Sequence, residues 1–177
     1  MNLQYQPITK EYKHYSKLKH LYEHAFPKVE RPPFKMLMDF SNHIMYGVED
    51  NNIFIGLVDI IIFKDTLYIF FLAIKKTFRG KGYGHQILNY ISNTYNNYRI
   101  YLMAEDPSIG EDKEMRNRRI KFYKESGFTL SNIKIEEFGV SYVLLYKNGI
   151  VNKEEFLLTM LHLLGENHFN YYQNNVN

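Results

Sequence analysis

The stretch LAIKKTFRGKGYGHQIL, residues 72–88, is the most informative segment of this chain. An apolar run breaks into basic residues and three closely spaced glycines, and apolar residues then resume at helical spacing. Glycines at a strand-to-helix junction let the backbone approach a phosphate closely. The first N–H groups of the helix have no intrahelical partner, and the helix dipole adds positive charge there. The stretch therefore predicts an anion site, with Arg79 and Lys81 as mobile cations beside it.

Two common phosphate loops are excluded by spacing. A dinucleotide fingerprint that starts at Gly80 needs a glycine at position 85, where His85 stands. A mononucleotide loop needs Ser or Thr after its lysine, but Lys81 is followed by Gly82. A tight turn with incidental glycines remains the structural alternative. The preceding apolar strand and the basic flank favour a pyrophosphate-binding loop.

Length and composition predict one folded domain. The chain has 177 residues, of which 45% are hydrophobic and 23% charged, with a net charge of +3 and no cysteine. There is no disulfide framework, thiolate metal site or cysteine nucleophile. The small positive charge does not favour a dedicated nucleic-acid binder. With no signal-peptide core and no apolar run long enough for a bilayer, we expect a soluble cytoplasmic protein without membrane contact.

Hydrophobic periodicity predicts alternating helices and strands. The predicted helices are Lys10–Phe26, Phe34–Asn42, one from the glycine turn to about Tyr95, Lys113–Ser126, and one that begins near Asn152. The predicted strands are Ile44–Val48, Ile53–Phe63, Leu67–Ile74, Tyr98–Ala104, and two within residues 128–138 and 140–147. The Asn residues of EDNN favour a hairpin turn, Gly127 a helix stop, and Asn152 with Glu155 a capping box.

Two motifs in register resemble those of the GNAT superfamily of acetyl-CoA-dependent N-acetyltransferases. The first is R-x-x-G-x-G, formed by Arg79, Gly82 and Gly84 after a strand that ends in LAI. The second is the stretch NRRIKFYKESGF, residues 117–128, in which Ile120 replaces the alanine that is common in the family. The resemblance covers about Lys10 to Lys147. It implies an α/β (α+β) fold, with a mixed, mostly antiparallel central sheet, two splayed parallel strands and helices on both faces.

The resemblance also implies an activity and a cofactor site. The expected enzyme transfers an acetyl group from acetyl-CoA to a primary amine by direct attack in a ternary complex. The implied cofactor-binding residues are Leu72, Ala73 and Ile74 for the pantetheine arm, Arg79, Gly80, Lys81, Gly82, Tyr83 and Gly84 for the pyrophosphate, and Asn117 for the other side of the arm. Tyr123 matches the family tyrosine near the sulfur and is the candidate acid for the thiolate, although a tyrosine beside Phe122 is also typical of packing.

The acceptor amine must lose a proton, because a primary amine titrates near ~10. Glu105 ends the strand IYLMAED and is the candidate general base, directly or through a water. Asp106 is a neighbouring candidate that can instead cap the turn at Pro107, and Asp59 is a third if its side chain points into the cleft. A solvated carboxylate at a strand end is the structural alternative for Glu105.

The acceptor side is less determined. The loop FPKVERPPF carries Glu30 and Arg31 as candidate substrate-binding residues, for a cationic amine and a carboxylate respectively; a solvated loop is the alternative. His20 and His24 are interpreted as surface residues, because the histidines show no metal-ligand spacing. The stretch MRNRR either contacts an outlying phosphate of the cofactor or forms a solvent-exposed helix face.

Three functional readings stay open at this point. The leading one is the acetyltransferase, acting on a small-molecule or peptide amine. A non-catalytic CoA-binding sensor and a basic nucleic-acid binder are the alternatives. The expected domain is 1–147, followed by a C-terminal helical extension, 148–177, that packs on the same domain or at a homodimer interface.

Overall fold

The computed structural model describes residues 1–39, 43–110, 112–137, 139–165 and 176. The strands in these ranges are β1 (Leu3–Pro7), β2 (His43–Asp50), β3 (Ile53–Phe63), β4 (Thr66–Ile74), β5 (Arg99–Glu105), β6 (Thr129–Glu137) and β7 (Val140–Lys147). The helices are α1 (Tyr15–Ala25), α2 (Phe34–Met38), α3 (Tyr83–Thr94), α4 (Lys113–Glu125) and α5 (Lys153–Leu164). No helix in the described part of the chain is long and apolar enough to span a bilayer.

The strands follow the order β1-β2-β3-β4-β5-β7-β6. β4 and β5 run parallel, with Thr66, Leu67 and Tyr68 opposite Arg99, Ile100 and Tyr101. The pairs β1·β2, β2·β3, β5·β7 and β6·β7 are antiparallel. The predicted mixed, mostly antiparallel sheet is confirmed.

Contacts divide the chain into two compact units. The first unit contains Met1–Ile62 and Ile69–Ile87, and the second contains Phe63–Tyr68 and Leu88–Asn177. β4 belongs to both: its first residues pair with β5 in the second unit, and its remaining residues lie in the first.

The core of the first unit forms where α1 packs on strands β3 and β4. Leu18 and Tyr22 of α1 are fully buried, and the Tyr22 ring meets the Phe71 ring edge-on, with centroids 5.1 Å apart. Burial of a large apolar side chain is worth about 1.5–3 kcal/mol, so this packing, rather than helix propensity, holds α1 in place. The short helix predicted from Phe34 ends at Met38, and its predicted end at Asn42 lies outside the described residues.

α1 begins at Tyr15, five residues later than predicted. The reason is a buried carboxylate on β2. Glu49 is fully buried and accepts a hydrogen bond of 2.9 Å from the Tyr12 hydroxyl. Its carboxylate also forms an ion pair with Lys13, whose Nζ lies 2.7 Å from Oε2. Leaving such a charge unpaired is costly, so the segment before α1 follows these contacts instead of the helix.

β1 was not predicted. Its five residues pair in antiparallel register with β2, from Leu3 opposite Asp50 to Pro7 opposite Tyr46. Its exposed and half-buried positions give only weak alternation, because β1 ends the strand order and has a neighbour on one side only.

Three boundaries of helices and strands were predicted correctly from the residues next to them. Asn51 and Asn52 have φ of 49° and 64° in the β2–β3 hairpin. Gly127, with φ of 86°, ends α4 as predicted, and its N–H donates to the carbonyl of Lys124. Asn152 and Glu155 form the predicted capping box at the start of α5.

Candidate functional site

The loop between β4 and α3 presents an open backbone. Gly80 and Gly82 have φ of 72° and 82°, a conformation that residues with a side chain rarely adopt. A Cβ added at Gly80 would meet no protein atom within 4 Å, and one at Gly82 would reach only the end of Met1 at 3.9 Å. These glycines are therefore not required by internal packing. They leave main-chain amides accessible from outside.

α3 starts directly after this loop. Its first turn is closed by the Gln86 N–H, which donates to the Gly82 carbonyl at 3.2 Å, so the N–H groups that precede it point out of the helix start. Tyr83 is buried and its hydroxyl donates to Asp50 at 2.8 Å. This bond holds the start of α3 against β2 and raises the pKa of the Tyr83 phenol. Gly84 is buried within α3.

Positive charge surrounds the loop. The Arg79 Nε donates to the Ile74 carbonyl at 3.0 Å, so the guanidinium folds back over the end of β4. The Nζ atoms of Lys75 and Lys81 lie 5.4 and 5.5 Å from the centroid of the Phe78 ring. Open amides, a helix start and these cations are a donor set that fits a diphosphate, so the loop suits coenzyme A.

The end of β4 lies close to β3. The Ala73 carbonyl would stand 2.3 Å from a Cβ at Gly56, so only glycine fits on β3 at that point. Leu72 and Ile74 are half-buried and Ala73 is buried. At Ala73, β4 thus lies directly against β3 with no side chain between the two backbones.

In the second unit, Glu105 ends β5 as predicted and is half-buried. Arg116 Nε lies 2.8 Å from its Oε2, and Arg119 Nη1 donates to its Oε1 at 3.2 Å. Both oxygens therefore have a guanidinium partner from α4. The stretch MRNRR was a candidate for binding an outlying phosphate of the cofactor. In the structure, two of its three arginines contact the Glu105 carboxylate.

Tyr123 lies on the same helix and is half-buried. Its ring centroid is 5.0 Å from that of Phe122 and 6.2 Å from that of Phe128. Burial raises the pKa of the Tyr123 phenol, against a smaller opposite effect of Arg119. The phenol is therefore protonated at neutral pH, and its raised pKa makes it a weaker proton donor than a free tyrosine.

Asn117, also on α4, is exposed, and its Nδ2 donates to the Lys113 carbonyl one turn earlier at 2.8 Å. Asp106 is buried; its Oδ1 accepts from the backbone N–H and the hydroxyl of Ser108, at 2.8 and 2.6 Å. Lys134 Nζ donates to its Oδ2 at 2.8 Å. Asp106 thus caps the turn at Pro107, which was one of its two predicted roles.

Asp59 is fully buried on β3. Nε2 of His43 lies 2.5 Å from Asp59 Oδ1, so the imidazole and the carboxyl group are in direct contact. Burial raises the pKa of Asp59 to about 6, although His43 acts in the opposite direction.

The α1–α2 loop carries both predicted acceptor residues. Glu30 is half-buried, and its N–H donates to the Pro27 carbonyl at 3.0 Å. Arg31 donates to the carbonyls of Phe26 and Glu23 at 3.2 and 3.1 Å, and its guanidinium lies 5.5 Å from the Tyr22 ring centroid. Arg31 therefore satisfies carbonyl groups at the C-terminal end of α1.

The structure also shows a cavity of about 640 Å³ that sequence reasoning missed. It lies between α1 and the segment that follows β4. His20 and His24 are exposed, as predicted for surface residues, and both line this cavity together with Lys17. The available signal was the basic side of α1, which nothing in the sequence connects to residues 75–79.

The profile of the acetyltransferase (GNAT) domain matches residues 41–130 of this chain. No curated protein sequence gives a significant match. Among solved structures, a putative GNAT-family acetyltransferase from Bacteroides thetaiotaomicron is 24% identical, with a TM-score of 0.77 over 92% of this chain and 99% of that one.

Two further solved structures have the same fold. An acetyltransferase from Bacillus subtilis in complex with CoA is 15% identical, with a TM-score of 0.62 over 84% of this chain and all of that one (100%). A spermidine N-acetyltransferase mutant from Vibrio cholerae is 18% identical, with a TM-score of 0.63 over 82% of this chain and 92% of that one.

Proposed function

This chain belongs to the acetyltransferases with a GNAT domain, and from that premise we propose that it acetylates a primary amine by direct attack in a ternary complex. Acetyl-CoA is its cofactor and supplies the acetyl group as an activated thioester. The observation that carries the proposal is the open loop at Gly80 and Gly82, which precedes the start of α3 among several cations.

We propose that the loop from Arg79 to Gly84 binds the diphosphate of the cofactor through main-chain amides. The conformations of Gly80 and Gly82 support this role, because they expose amides without a side chain in the way. The backbone of Leu72, Ala73 and Ile74 is proposed for the pantetheine arm. For Asn117 the same role stays a prediction, since its amide nitrogen is bonded within its own helix.

Proton transfer is assigned to the second unit. We propose that the Tyr123 phenol, which is protonated at neutral pH, donates a proton to the departing sulfur; its place on α4 within the stretch NRRIKFYKESGF supports this role. We propose Glu105 as the base, acting through a water. Its ion pairs with Arg116 and Arg119 hold the carboxylate in one orientation at the end of β5.

A CoA-binding sensor without turnover is the second candidate. It is favoured by the two guanidinium partners of Glu105, because a carboxylate engaged at both oxygens can be purely structural. The acceptor is proposed to be a small-molecule or peptide amine. Roles of Glu30 and Arg31 in acceptor binding, a cytoplasmic location, a homodimer and a separate extension at 148–177 stay predictions.

A panel of amines assayed for acetyl-CoA-dependent thiol release tests the function. The panel contains a polyamine, an amino acid, an aminoglycoside and a peptide amino terminus, and a reaction without amine is the control. Amine-dependent thiol release supports the enzyme. Calorimetric binding of acetyl-CoA with no release for any amine supports the sensor, and absence of acetyl-CoA binding contradicts both.

A further inference from the structure

The α1 cavity is the space of about 640 Å³ between α1 and the segment 75–79. It lies entirely within the first unit. Its lining residues are Ser16, Lys17, His20, Leu21, His24, Ala25, Phe54, Lys75, Lys76, Thr77 and Arg79.

The charge of this lining has one sign. Lys17, Lys75, Lys76 and Arg79 carry four positive charges, and none of the lining residues, all of them described by the structure, is Asp or Glu. Like charges that surround one cavity repel each other and attract anions. The arrangement therefore favours a negatively charged group over a cation.

The histidines add directed polar atoms. The rings of His20 and His24 lie 3.9 Å apart. His24 Nδ1 lies 2.8 Å from the His20 carbonyl, and since a carbonyl only accepts, this nitrogen is the donor. The bond fixes the His24 ring on the cavity wall.

The remaining walls suit an organic ligand. Leu21, Ala25 and Phe54 are apolar, while Ser16 and Thr77 contribute hydroxyl groups. A bare inorganic ion needs no apolar contact. A ligand with an apolar body and one anionic end uses both kinds of wall.

We propose that the α1 cavity binds the phosphate or carboxylate group of a ligand of the acetyl transfer reaction. This inference rests on the proposed function. Two ligands can supply such a group: an acceptor amine that also carries a carboxylate or phosphate, or the cofactor with its own phosphates. A polyamine acceptor would meet four positive charges in this cavity and is disfavoured there.

Anion binding is tested first without catalysis. Inorganic pyrophosphate is titrated into the full chain, and the imidazole resonances of His20 and His24 are followed by NMR. We expect saturable shifts, weakened about fivefold to tenfold by Lys17→Gln. Lys19→Gln is the matched control, because Lys19 lies on the same helix, near Glu23 at 4.0 Å, and does not line the cavity.

The backbone amides from Gly80 to Gly84, none of which lines the α1 cavity, report separately on the cofactor site. Shifts confined to those amides, with both imidazoles unchanged, overturn the inference while leaving the proposed function intact. Imidazole shifts without any amide shifts support anion binding in the α1 cavity, even if the proposed function fails.

Two further arms identify the source of the anion. If Lys17→Gln weakens acetyl-CoA binding by calorimetry and Lys19→Gln does not, the cofactor supplies it, and 3′-dephospho-acetyl-CoA then shows whether the ribose phosphate is responsible. If Lys17→Gln leaves cofactor binding unchanged and raises the KM for anionic amines about fivefold, the acceptor supplies the anionic group. Unchanged cofactor binding and unchanged KM for every amine overturn the inference.

Discussion

Arg116 and Glu105 form an ion pair that joins α4 to the end of β5, with 2.8 Å between Arg116 Nε and Glu105 Oε2. Arg116 also donates to the carbonyls of Asp106 and Ile109, at 3.2 and 2.6 Å. The guanidinium therefore holds the backbone that follows β5 as well as the carboxylate. These contacts hold the Glu105 carboxylate in place, and the catalytic role that we propose for it depends on a water reaching it.

The role of Glu105 is tested by Glu105→Gln. If this carboxylate accepts the amine proton, kcat falls about tenfold to hundredfold at neutral pH, while acetyl-CoA affinity is unchanged. The matched control is Glu114→Gln, which removes an exposed carboxylate paired with Arg118 on the same helix. Steady-state kinetics and calorimetry measure the two effects. Full activity of Glu105→Gln would assign Glu105 to the positioning of Arg116 alone.

Tyr123→Phe removes the proposed acid and keeps the ring that packs between Phe122 and Phe128. We expect kcat to fall about hundredfold, because the sulfur departs without a proton, while the Kd of acetyl-CoA is unchanged. Tyr98→Phe is the control, since this tyrosine lies just before β5 and packs on Tyr95. A kcat equal to that of the wild type at every pH excludes Tyr123 from the mechanism.

Gly80→Ala tests the diphosphate loop against a matched position. Gly80 and Gly139 have φ of 72° and 78°, and an added Cβ meets no atom within 4 Å at either. Both substitutions therefore cost a similar backbone strain of about 1–2 kcal/mol in the free energy of unfolding. Only Gly80→Ala adds a methyl group to the loop that carries the open amides, so we expect its acetyl-CoA affinity to fall about tenfold.

Calorimetry and urea denaturation separate the two effects of Gly80→Ala. Equal losses of stability with an affinity change in only one variant support the loop as the binding element. An unchanged acetyl-CoA affinity for Gly80→Ala contradicts it.

Asp106 makes stability depend on pH. Burial alone would raise the pKa of Asp106, but the hydrogen bonds from Lys134 and Ser108 outweigh it and lower the pKa to about 2. Because the folded value lies below the ordinary value of 3.8, the carboxylate stabilises the fold above pH 4. That contribution, about 2 kcal/mol, is lost as the pH falls from 4 to 2.

Asp106→Asn should therefore be less stable than the wild type at pH 7, and the difference should shrink toward pH 2. Urea denaturation across this range measures the free energy of unfolding. Asp112→Asn is the control, since Asp112 precedes α4 without a side-chain capping bond. A difference between wild type and Asp106→Asn that stays constant with pH would contradict the assignment.

The sequence predicted those parts of the molecule that are built from neighbouring residues. The glycine loop, the Asn51–Asn52 turn, the stop at Gly127 and the capping box at Asn152 each depend on backbone preferences within a few positions. The order of strands and helices from Ile44 to Lys147 followed from periodicity for the same reason.

The contacts between side chains of distant segments depend on tertiary packing, which local patterns do not encode. The start of α1 is set by Glu49, which is 37 residues from Tyr12 along the chain, and Glu105 meets arginines that the sequence offered to a phosphate. The α1 cavity joins a helix to a segment about fifty residues later. Local conformation is encoded by short-range sterics and hydrogen bonds, whereas charge partners and cavities arise from packing between segments that no spacing rule connects.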